Sequence, residues 1–545
     1  MQYASAERRT AMSAGALCFG GIVLFVALAA IALLTAGGAP ASAGSSLFDA
    51  YIWRVARFTL LQAALSTLLS VLLAIPVARA LVRQPRFPGR VWIVRLMALP
   101  LGLPALVGAL GIITIWGRQG LVNDGLAWLG LNQPVSIYGL SGILIAHVFF
   151  NLPLAVRYLV AGLERIPGEY WRLGANLGMR SPDLFRFVEW PVIRRLLPGI
   201  ASLIFMLCAT SFTLVLTLGG GPAATTIEVA IYQAMRFDFD PPRAIALSFL
   251  QIGITGILLL VARLLPQALD DGSPGGIRIE RFDGRAIHRR ILDGILILLA
   301  AIFVSLPLLA VLVSGLAADF RKLLADSALH QALLTSAAIA LGSAALCVTA
   351  TACLVRGEHA AAASQVRSPL ARSLGGGIHA STSLVLLVPP VVLGSGWFLL
   401  LRPLGDTGRF APFIIVAINV LMTLPFVYRV LQPAYADHVQ KTGRLAVSLG
   451  LTGFQRLRIN ELPALRRPLL MAFSFAAALS LGDLGAVALF GSQDIVTLPW
   501  LLYSRMGSYR TADAAGIALL LGAICLLLTI LGTWQKRETD EYGHD

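Results

Sequence analysis

The sequence is poor in charged residues, which make up 13% of its 545 positions, whereas hydrophobic residues make up 57%. A soluble protein carries about 25% charged residues, because its surface faces water. A chain this apolar cannot cover several soluble domains with polar side chains. The composition therefore predicts an integral membrane protein.

Lysine is scarce as well, since all but three of the 43 basic residues behind the net charge of +15 are arginine. The lysines are Lys322, Lys441 and Lys536, and none of them follows a glycine. A P-loop needs Gly-Lys-Ser/Thr to bind phosphates, so this chain supplies no such loop. The arginines lie in short loops between apolar runs, which is typical of positive-inside topology and argues against a nucleic-acid partner.

Metal-ligand and catalytic patterns are also missing. The five cysteines, Cys18, Cys208, Cys347, Cys353 and Cys525, all fall inside apolar segments, so they predict neither disulfides nor a metal site. HExxH and GxSxG motifs are absent, and among the histidines only His147 lies well inside an apolar run. We therefore expect no enzymatic activity, no metal and no cofactor.

Twelve apolar runs are long enough to cross a membrane, which takes about 20 helical residues. They cover residues 12–36, 57–80, 96–116, 139–163, 197–218, 244–264, 291–316, 331–354, 379–401, 412–432, 468–490 and 513–534. The first run resembles a signal peptide, because Arg8 and Arg9 precede it and Ala39-Pro40-Ala41 resembles a cleavage site. Its apolar core is nearly twice the usual length, which favours a retained helix. We predict an all-α membrane protein of about twelve transmembrane helices.

The distribution of basic residues predicts the orientation of these helices. Segments 157–196 and 429–468 each carry seven Lys/Arg, whereas the loop 117–138 carries only Arg118. By the positive-inside rule, the basic loops and both termini are cytoplasmic.

An internal repeat appears at an offset of 272 residues. Asn151-Leu152-Pro153 and Arg157 fall on Thr423-Leu424-Pro425 and Arg429. A second window contains eight identities: Leu173, Leu177, Gly178, Arg186, Glu189, Pro191, Arg194 and Arg195 fall on Leu445, Leu449, Gly450, Arg458, Glu461, Pro463, Arg466 and Arg467. Because six spans separate the copies, both halves keep one orientation, as in a parallel repeat about an axis along the membrane normal.

The repeat sets the predicted domain boundaries. Two transmembrane domains cover 57–264 and 331–534, and a cytoplasmic linker covers 265–290. The remaining segments are an N-terminal helix with an outer loop at 1–56, an additional helix with an outer loop at 291–330, and a cytoplasmic tail at 535–545.

The second window predicts a short helical hairpin on the cytoplasmic surface. Ile166, Tyr170, Leu173 and Leu177 form one apolar stripe at helical spacing, and Gly178 follows where a helix ends with positive φ. Ser181-Pro182 is a good start for a second helix, and Pro191 leads back towards the bilayer.

These residues resemble the EAA loop of ABC importer permeases. In that motif a glycine is followed, after nine residues, by an apolar residue, any residue, an apolar residue and a proline. The pattern stands as Gly178…Val188-Glu189-Trp190-Pro191 and as Gly450…Asn460-Glu461-Leu462-Pro463. The resemblance implies that the hairpins couple the chain to an ATPase. It marks six coupling residues: Gly178, Glu189, Pro191, Gly450, Glu461 and Pro463. The Glu-Ala-Ala triplet that gives the motif its name is not kept in this sequence: Arg172-Leu173-Gly174 and Arg444-Leu445-Ala446 stand in its place. In the second copy, Asn460 also replaces an apolar residue.

Further segments resemble the fused permease family of bacterial thiamine and thiamine-diphosphate importers. They include Ala146-His147-Val148-Phe149-Phe150-Asn151-Leu152-Pro153, Leu218-Gly219-Gly220-Gly221-Pro222, Ala224-Thr225-Thr226-Ile227-Glu228 and Ser480-Leu481-Gly482-Asp483-Leu484-Gly485. The resemblance implies an inner-membrane permease for thiamine and its phosphates, with two copies of a cytoplasmic ATPase and a periplasmic binding protein as partners and lipid around it. A fused ferric-iron permease is the nearest alternative, and a twelve-helix secondary transporter is a second one.

Polar residues at bilayer depth are candidates for a translocation pathway, because they are costly there. His147 and Asn151 share one helix face, Asn419 repeats the His147 position, and Asp483 lies in the eleventh predicted span between Gly482 and Gly485. Interhelical hydrogen bonding is the simpler interpretation for the first three. For Asp483 both interpretations stand, since a carboxylate suits a cationic substrate.

Overall fold

The computed structural model describes residues 5–36, 49–130, 134–264, 281–362, 375–378, 388–405, 407–490, 495–508 and 510–533. This part of the chain contains helices and turns but no strand, which confirms the predicted all-α fold. Within it, eleven helices are long and apolar enough to cross a membrane, and Pro390–Leu401 is a shorter apolar helix. The shorter helix is the described part of the ninth predicted span, whose residues 379–387 lie outside the described ranges.

The chain forms two compact units. One, the first-half unit, comprises Pro40–Asp319 and Arg510–Leu519. Its α-helices are Ala50–Arg83, Arg90–Leu96, Leu99–Gly102, Ala105–Trp116, Leu121–Trp128, Leu140–Leu163, Gly168–Asn176, Ser181–Leu184, Trp190–Ala209, Thr213–Leu218, Ile227–Arg236, Pro241–Leu264 and Ile287–Leu316. Ala50–Arg83 packs along Leu140–Leu163. Small buried residues such as Ala63, Ser66 and Ala74 allow the close approach of these helices.

The other, the second-half unit, comprises Met1–Ala39, Phe320–Tyr509 and Leu520–Asp545. Its α-helices are Ser5–Ala36, Phe320–Leu324, Ser327–Ala362, Pro390–Leu401, Thr407–Ser448, Gly453–Arg456, Leu462–Leu481, Gly485–Phe490 and Leu498–Gly507, and it shares Thr511–Thr533 with the first-half unit. The N-terminal helix packs on Ser327–Ala362, where a Cβ on Gly15 would lie 3.0 Å from the Gly357 Cα. The predicted domain boundaries stay a prediction.

The offset of 272 residues recurs in the helix boundaries of the two units. Trp190–Ala209 corresponds to Leu462–Leu481, and Thr213–Leu218 corresponds to Gly485–Phe490. Each pair of helices follows a five-residue π-helical turn, Phe185–Glu189 in one unit and Leu457–Glu461 in the other. Two copies of the sequence therefore adopt the same local structure over this region.

Three predicted spans are interrupted, and a fourth is longer than predicted. The fifth ends at Ala209 and the eleventh at Leu481, each before a short break and a second helix. The third is broken at Leu103, which is extended with φ −91° and ψ 132° because the next residue is Pro104. The tenth runs on as the 42-residue helix Thr407–Ser448 and contains three prolines.

Candidate functional site: coupling hairpins and buried polar residues

The predicted hairpin is present in the first-half unit. Helix Gly168–Asn176 ends at Gly178, whose φ of 65° lies in the left-handed region. The Gly178 N–H donates to Ala175 O and the Met179 N–H donates to Gly174 O, which are the two bonds of a Schellman motif. Gly450 has a φ of 66°, and it and Leu451 make the matching bonds to Val447 O and Ala446 O. Both glycines therefore end helices as predicted.

The second helix of the hairpin differs from the prediction. Instead of stopping before Pro191, it passes from Ser181–Leu184 through the π-helical turn Phe185–Glu189 directly into Trp190–Ala209. The Trp190 N–H donates to Phe185 O, five residues back, and Pro191 has no N–H to donate. The hairpin is thus continuous with a membrane-spanning helix.

The apolar stripe of the hairpin faces outwards. Tyr170, Leu173 and Leu177 are 55%, 57% and 62% exposed, although Ile166 is buried. The opposite face carries Trp171, which is 7% exposed, and Gly174, where a Cβ would lie 2.7 Å from Leu184 Cδ2. In the second-half unit, Leu445 and Leu449 are likewise exposed while Ala446 is buried. Each unit therefore presents an apolar surface, the hairpin surface, formed by these stripe residues.

Glu189 lies on the inner side of its hairpin and is fully buried. Its carboxylate accepts hydrogen bonds from Arg79 Nε at 2.6 Å and from Arg281 Nη1 at 2.6 Å. Arg79 belongs to the helix Ala50–Arg83, whereas Arg281 lies within the predicted linker and stacks on the Trp171 ring at 3.9 Å. The glutamate therefore joins the hairpin to a membrane helix and to the segment that begins the next helix.

A second carboxylate completes this buried ionic cluster. Asp283 accepts two hydrogen bonds from Arg281, each at 2.9 Å, and lies 3.3 Å from Arg83 Nε. Burial would raise the pKa of the Asp283 carboxyl, but the bonds and charge of Arg281, helped by Arg83, outweigh it and hold that pKa below its ordinary value. Asp283 is therefore ionised at neutral pH and fixes the orientation of Arg281.

Glu461 occupies the same position in the second-half unit and is also buried. Arg356 and Arg456 each lie 3.3 Å from its carboxylate through Nε, and the Tyr435 hydroxyl donates to it at 3.3 Å. Arg456 also donates to Glu7 of the N-terminal helix at 3.5 Å. The exposed Pro463 and half-buried Pro191 follow the two glutamates at the same distance.

The candidate pathway residues of the first-half unit are buried and bonded between helices. The Ser66 hydroxyl and His147 Nδ1 share a hydrogen bond of 2.9 Å, and Asn151 Nδ2 donates to Cys208 Sγ at 3.4 Å. Gln62 Nε2 donates to the Cys208 carbonyl at 2.9 Å. These contacts are the interhelical hydrogen bonds of the simpler interpretation.

In the second-half unit, the candidates Asn419 and Asp483 lie on different elements: Asn419 is in the helix Thr407–Ser448, and Asp483 lies between two helices. Asn419 Nδ2 donates to Ser480 Oγ at 2.7 Å. The expected mid-helix position of Asp483 is wrong, because the helix ends at Leu481. The Asp483 carboxylate instead accepts hydrogen bonds from the N–H groups of Gly485 and Ala486 at 3.1 and 3.2 Å. It caps the short helix Gly485–Phe490, which is a common role of aspartate.

Sequence reasoning missed Glu228, which is fully buried in the helix Ile227–Arg236. Among the described residues, neither of its carboxylate oxygens has a hydrogen-bond partner. The preceding N–H, of Ile227, donates to Thr59 Oγ1 at 3.0 Å, and in the other unit Leu498 N–H donates to Ser336 Oγ at 2.8 Å. Ile227 is followed by Glu228, whereas Leu498, its counterpart in the other unit, is followed by Pro499. The second-half unit therefore has no carboxylate at the position of Glu228.

Comparisons with known proteins identify the family of the chain. Residues 360–540 match the family described as binding-protein-dependent transport system inner membrane component. The chain is 49% identical to the thiamine transport system permease protein ThiP of Brucella abortus over 95% of its own length and 93% of that protein. It is 46% identical to ThiP of Escherichia coli over 88% of each chain, and 38% identical to ThiP of Haemophilus influenzae over 90% of each.

Proposed function

Since this chain belongs to the family of ThiP thiamine transport permeases, we propose that it translocates thiamine and its phosphates across the bacterial inner membrane as the permease of an ABC importer. It is a multi-pass membrane protein, and its family is one of transport permeases. The identity to thiamine permeases over nearly the whole chain favours this substrate over ferric iron. The same identity argues against a secondary transporter.

ATP supplies the energy for this transport through a separate subunit. The observation that carries this proposal is the pair of corresponding turns at Gly178 and Gly450, each with an exposed apolar hairpin surface and a buried glutamate behind it, although the helix before Gly450 is continuous with Thr407–Ser448. Exposed apolar surfaces rimmed by polar residues mark protein interaction sites. The six residues Gly178, Glu189, Pro191, Gly450, Glu461 and Pro463 shape these hairpins, and the two glutamates act from inside by holding the hairpins in place.

The fused repeat sets the expected assembly. Two hairpins in one chain bind two copies of a cytoplasmic ATPase, and one periplasmic binding protein delivers the substrate on the other side. Both termini are then cytoplasmic, in line with the arginine-rich loops. The mass of the purified complex tests this assembly, because it should contain one copy of this chain and two of the ATPase. Two copies of this chain in one complex would contradict it.

The translocation pathway is proposed to include His147, Asn151, Asn419 and Asp483. Thiamine carries a permanent positive charge on its thiazolium ring and a flat pyrimidine, so a carboxylate and polar amides suit its passage. Asp483 is partly accessible and bonded only to backbone N–H groups among the described residues. Its negative charge therefore has no neutralising cation there and is free to meet a cationic substrate.

Growth of cells that cannot synthesise thiamine tests the substrate. Cells that lack this chain should fail to grow at low external thiamine, and restoring the chain should restore growth. If cells that lack this chain take up thiamine normally but take up less ferric iron, the chain is an iron permease instead.

A further inference from the structure

A cavity of about 630 Å³ lies in the first-half unit, between the loop after helix Ala50–Arg83 and the start of helix Ile287–Leu316. Five arginines contribute to its wall: Arg83, Arg86, Arg281, Arg285 and Arg290. The rest of the wall is largely apolar and includes Ile93, Ile297, Leu298 and Ala301. Coupling to an ATPase does not account for this combination of charge and apolar surface.

The five arginines fall into two groups. Arg83 and Arg281 form the floor, since their side chains are 4% and 2% exposed. Together with Arg79 behind them, they balance the carboxylates of Glu189, Asp283 and Asp293. Arg86, Arg285 and Arg290, the rim arginines, are exposed, and no carboxylate of the described part of the chain pairs with them. The cavity thus has a neutral floor and an unneutralised cationic rim, which favours an anionic ligand.

The position of the cavity narrows the class of anion. Ile297, Leu298 and Ala301 continue along a helix whose outer face carries exposed aliphatic residues, such as Ile291 and Ile295, as membrane-facing helices do. Trp92, beside the cavity wall residue Ile93, is 71% exposed, as expected of an aromatic side chain at a membrane interface. The N-terminus of the long helix Ile287–Leu316 also faces this end and favours negative charge.

We propose that the cavity binds an anionic phospholipid, with its phosphate at the rim arginines and its acyl chains along Ile297, Leu298 and Ala301. Basic pockets between transmembrane helices on the cytoplasmic side bind such head groups. The apolar wall would contribute nothing to a free phosphate ion but would bury the first methylenes of a lipid. The leaflet depends on the proposed orientation of the chain, whereas the chemistry of the cavity does not.

Equilibrium binding of fluorescent phosphatidylglycerol to the full chain in neutral-detergent micelles tests this proposal. The triple variant R86Q/R285Q/R290Q should bind it about a hundredfold more weakly, or about fivefold for each arginine. The triple variant R86K/R285K/R290K keeps the charges and should keep most of the affinity. The matched control R157Q/R194Q/R195Q removes three exposed arginines of the same unit that do not line the cavity, and it should bind like the wild type.

Three results would overturn the proposal. The first is that the wild type binds phosphatidylcholine as tightly as phosphatidylglycerol. The second is that the control variant loses as much affinity as the glutamine variant of the rim arginines. The third is that inorganic phosphate at millimolar concentration displaces the lipid fully. The last result would identify a free-anion site. The melting temperature of each variant is measured alongside, and the lysine variant keeps the test valid if the glutamine variant unfolds.

Discussion

Glu189 and Arg281 are 92 residues apart in the sequence, yet their side chains pair at 2.6 Å inside the first-half unit. The pair ties the inner face of a hairpin to the segment that leads into the next membrane helix. The exposed face of the same hairpin is apolar. Because the buried ion pair holds the inner face in place, it also fixes the direction in which the apolar face points. Glu461 has the same place in the second-half unit, where its partners are Arg356 and Arg456.

Substituting Glu189 should cost far more stability than substituting Glu228, although both side chains are fully buried. Glu189→Gln removes the carboxylate partner of Arg79 and leaves Arg281 with Asp283 alone, and breaking a buried ion pair costs about 3–5 kcal/mol. Glu228→Gln removes a carboxylate with no partner among the described residues, so an unpaired buried charge is no longer possible there. The melting temperature of the detergent-solubilised chain should fall for Glu189→Gln and stay level or rise for Glu228→Gln. Equal losses in both variants would refute the ionic anchoring of the hairpin.

Gly178→Val and Gly450→Val should weaken ATPase binding without preventing membrane insertion. Both glycines have positive φ, which a β-branched residue adopts only at a cost of about 1–3 kcal/mol. The strained turn would displace the hairpin surface beside it. Co-purification of the ATPase measures the effect, and Gly125→Val serves as a control because Gly125 is exposed, lacks a positive φ and has open space for a side chain. Wild-type association in both variants would exclude a coupling role for these turns.

Gly357→Val should loosen the N-terminal helix. A Cβ at Gly357 would lie 2.9 Å from Gly15 Cα and 3.2 Å from Ala11 O, so the backbone must move, at a typical cost of about 1–3 kcal/mol. Cys18 and Cys353 lie about one helical turn from Gly15 and Gly357 on the two packed helices, so the rate at which an oxidant cross-links their thiols reports the packing. That rate should fall several-fold in Gly357→Val. Gly342→Val, on the same helix but with nothing within 4 Å, should cross-link normally. An unchanged rate in Gly357→Val would contradict the packing.

Asp483→Asn should reduce thiamine uptake while the melting temperature holds. Asparagine caps a helix nearly as well as aspartate, so the bonds to Gly485 and Ala486 are largely kept, and the loss is about 1 kcal/mol or less. The variant removes the negative charge that we propose meets the thiazolium ring. Normal uptake with normal melting would leave Asp483 as a helix cap alone.

Much of the fold followed from local sequence patterns. Apolar runs predicted the membrane helices because each run must bury about 20 residues of backbone in lipid, and the offset of 272 predicted equivalent elements that recur with the same boundaries. Gly178 and Gly450 were predicted as helix ends because glycine alone adopts positive φ at little cost.

The buried ionic anchors could not be predicted in the same way. Arg79 and Arg281 lie 110 and 92 residues from Glu189, and before the fold is known they count only as basic residues on the cytoplasmic side. The helix break beside Asp483 could not be predicted, because the residues on both sides of it are apolar and hydropathy does not reveal a break between two apolar helices. Glu228 gave no signal of its own, since a lone acidic residue on a short helix is usually exposed.

Transport by purified components tests the central claim most directly. Proteoliposomes that contain this chain and its ATPase, with the binding protein added on the outer side, should accumulate radiolabelled thiamine only when ATP is available to the ATPase. Glu189→Gln and Gly178→Val should each reduce this accumulation. Thiamine uptake by the chain without the ATPase, or ATP-dependent accumulation of ferric iron but not thiamine by the complete system, would contradict the account.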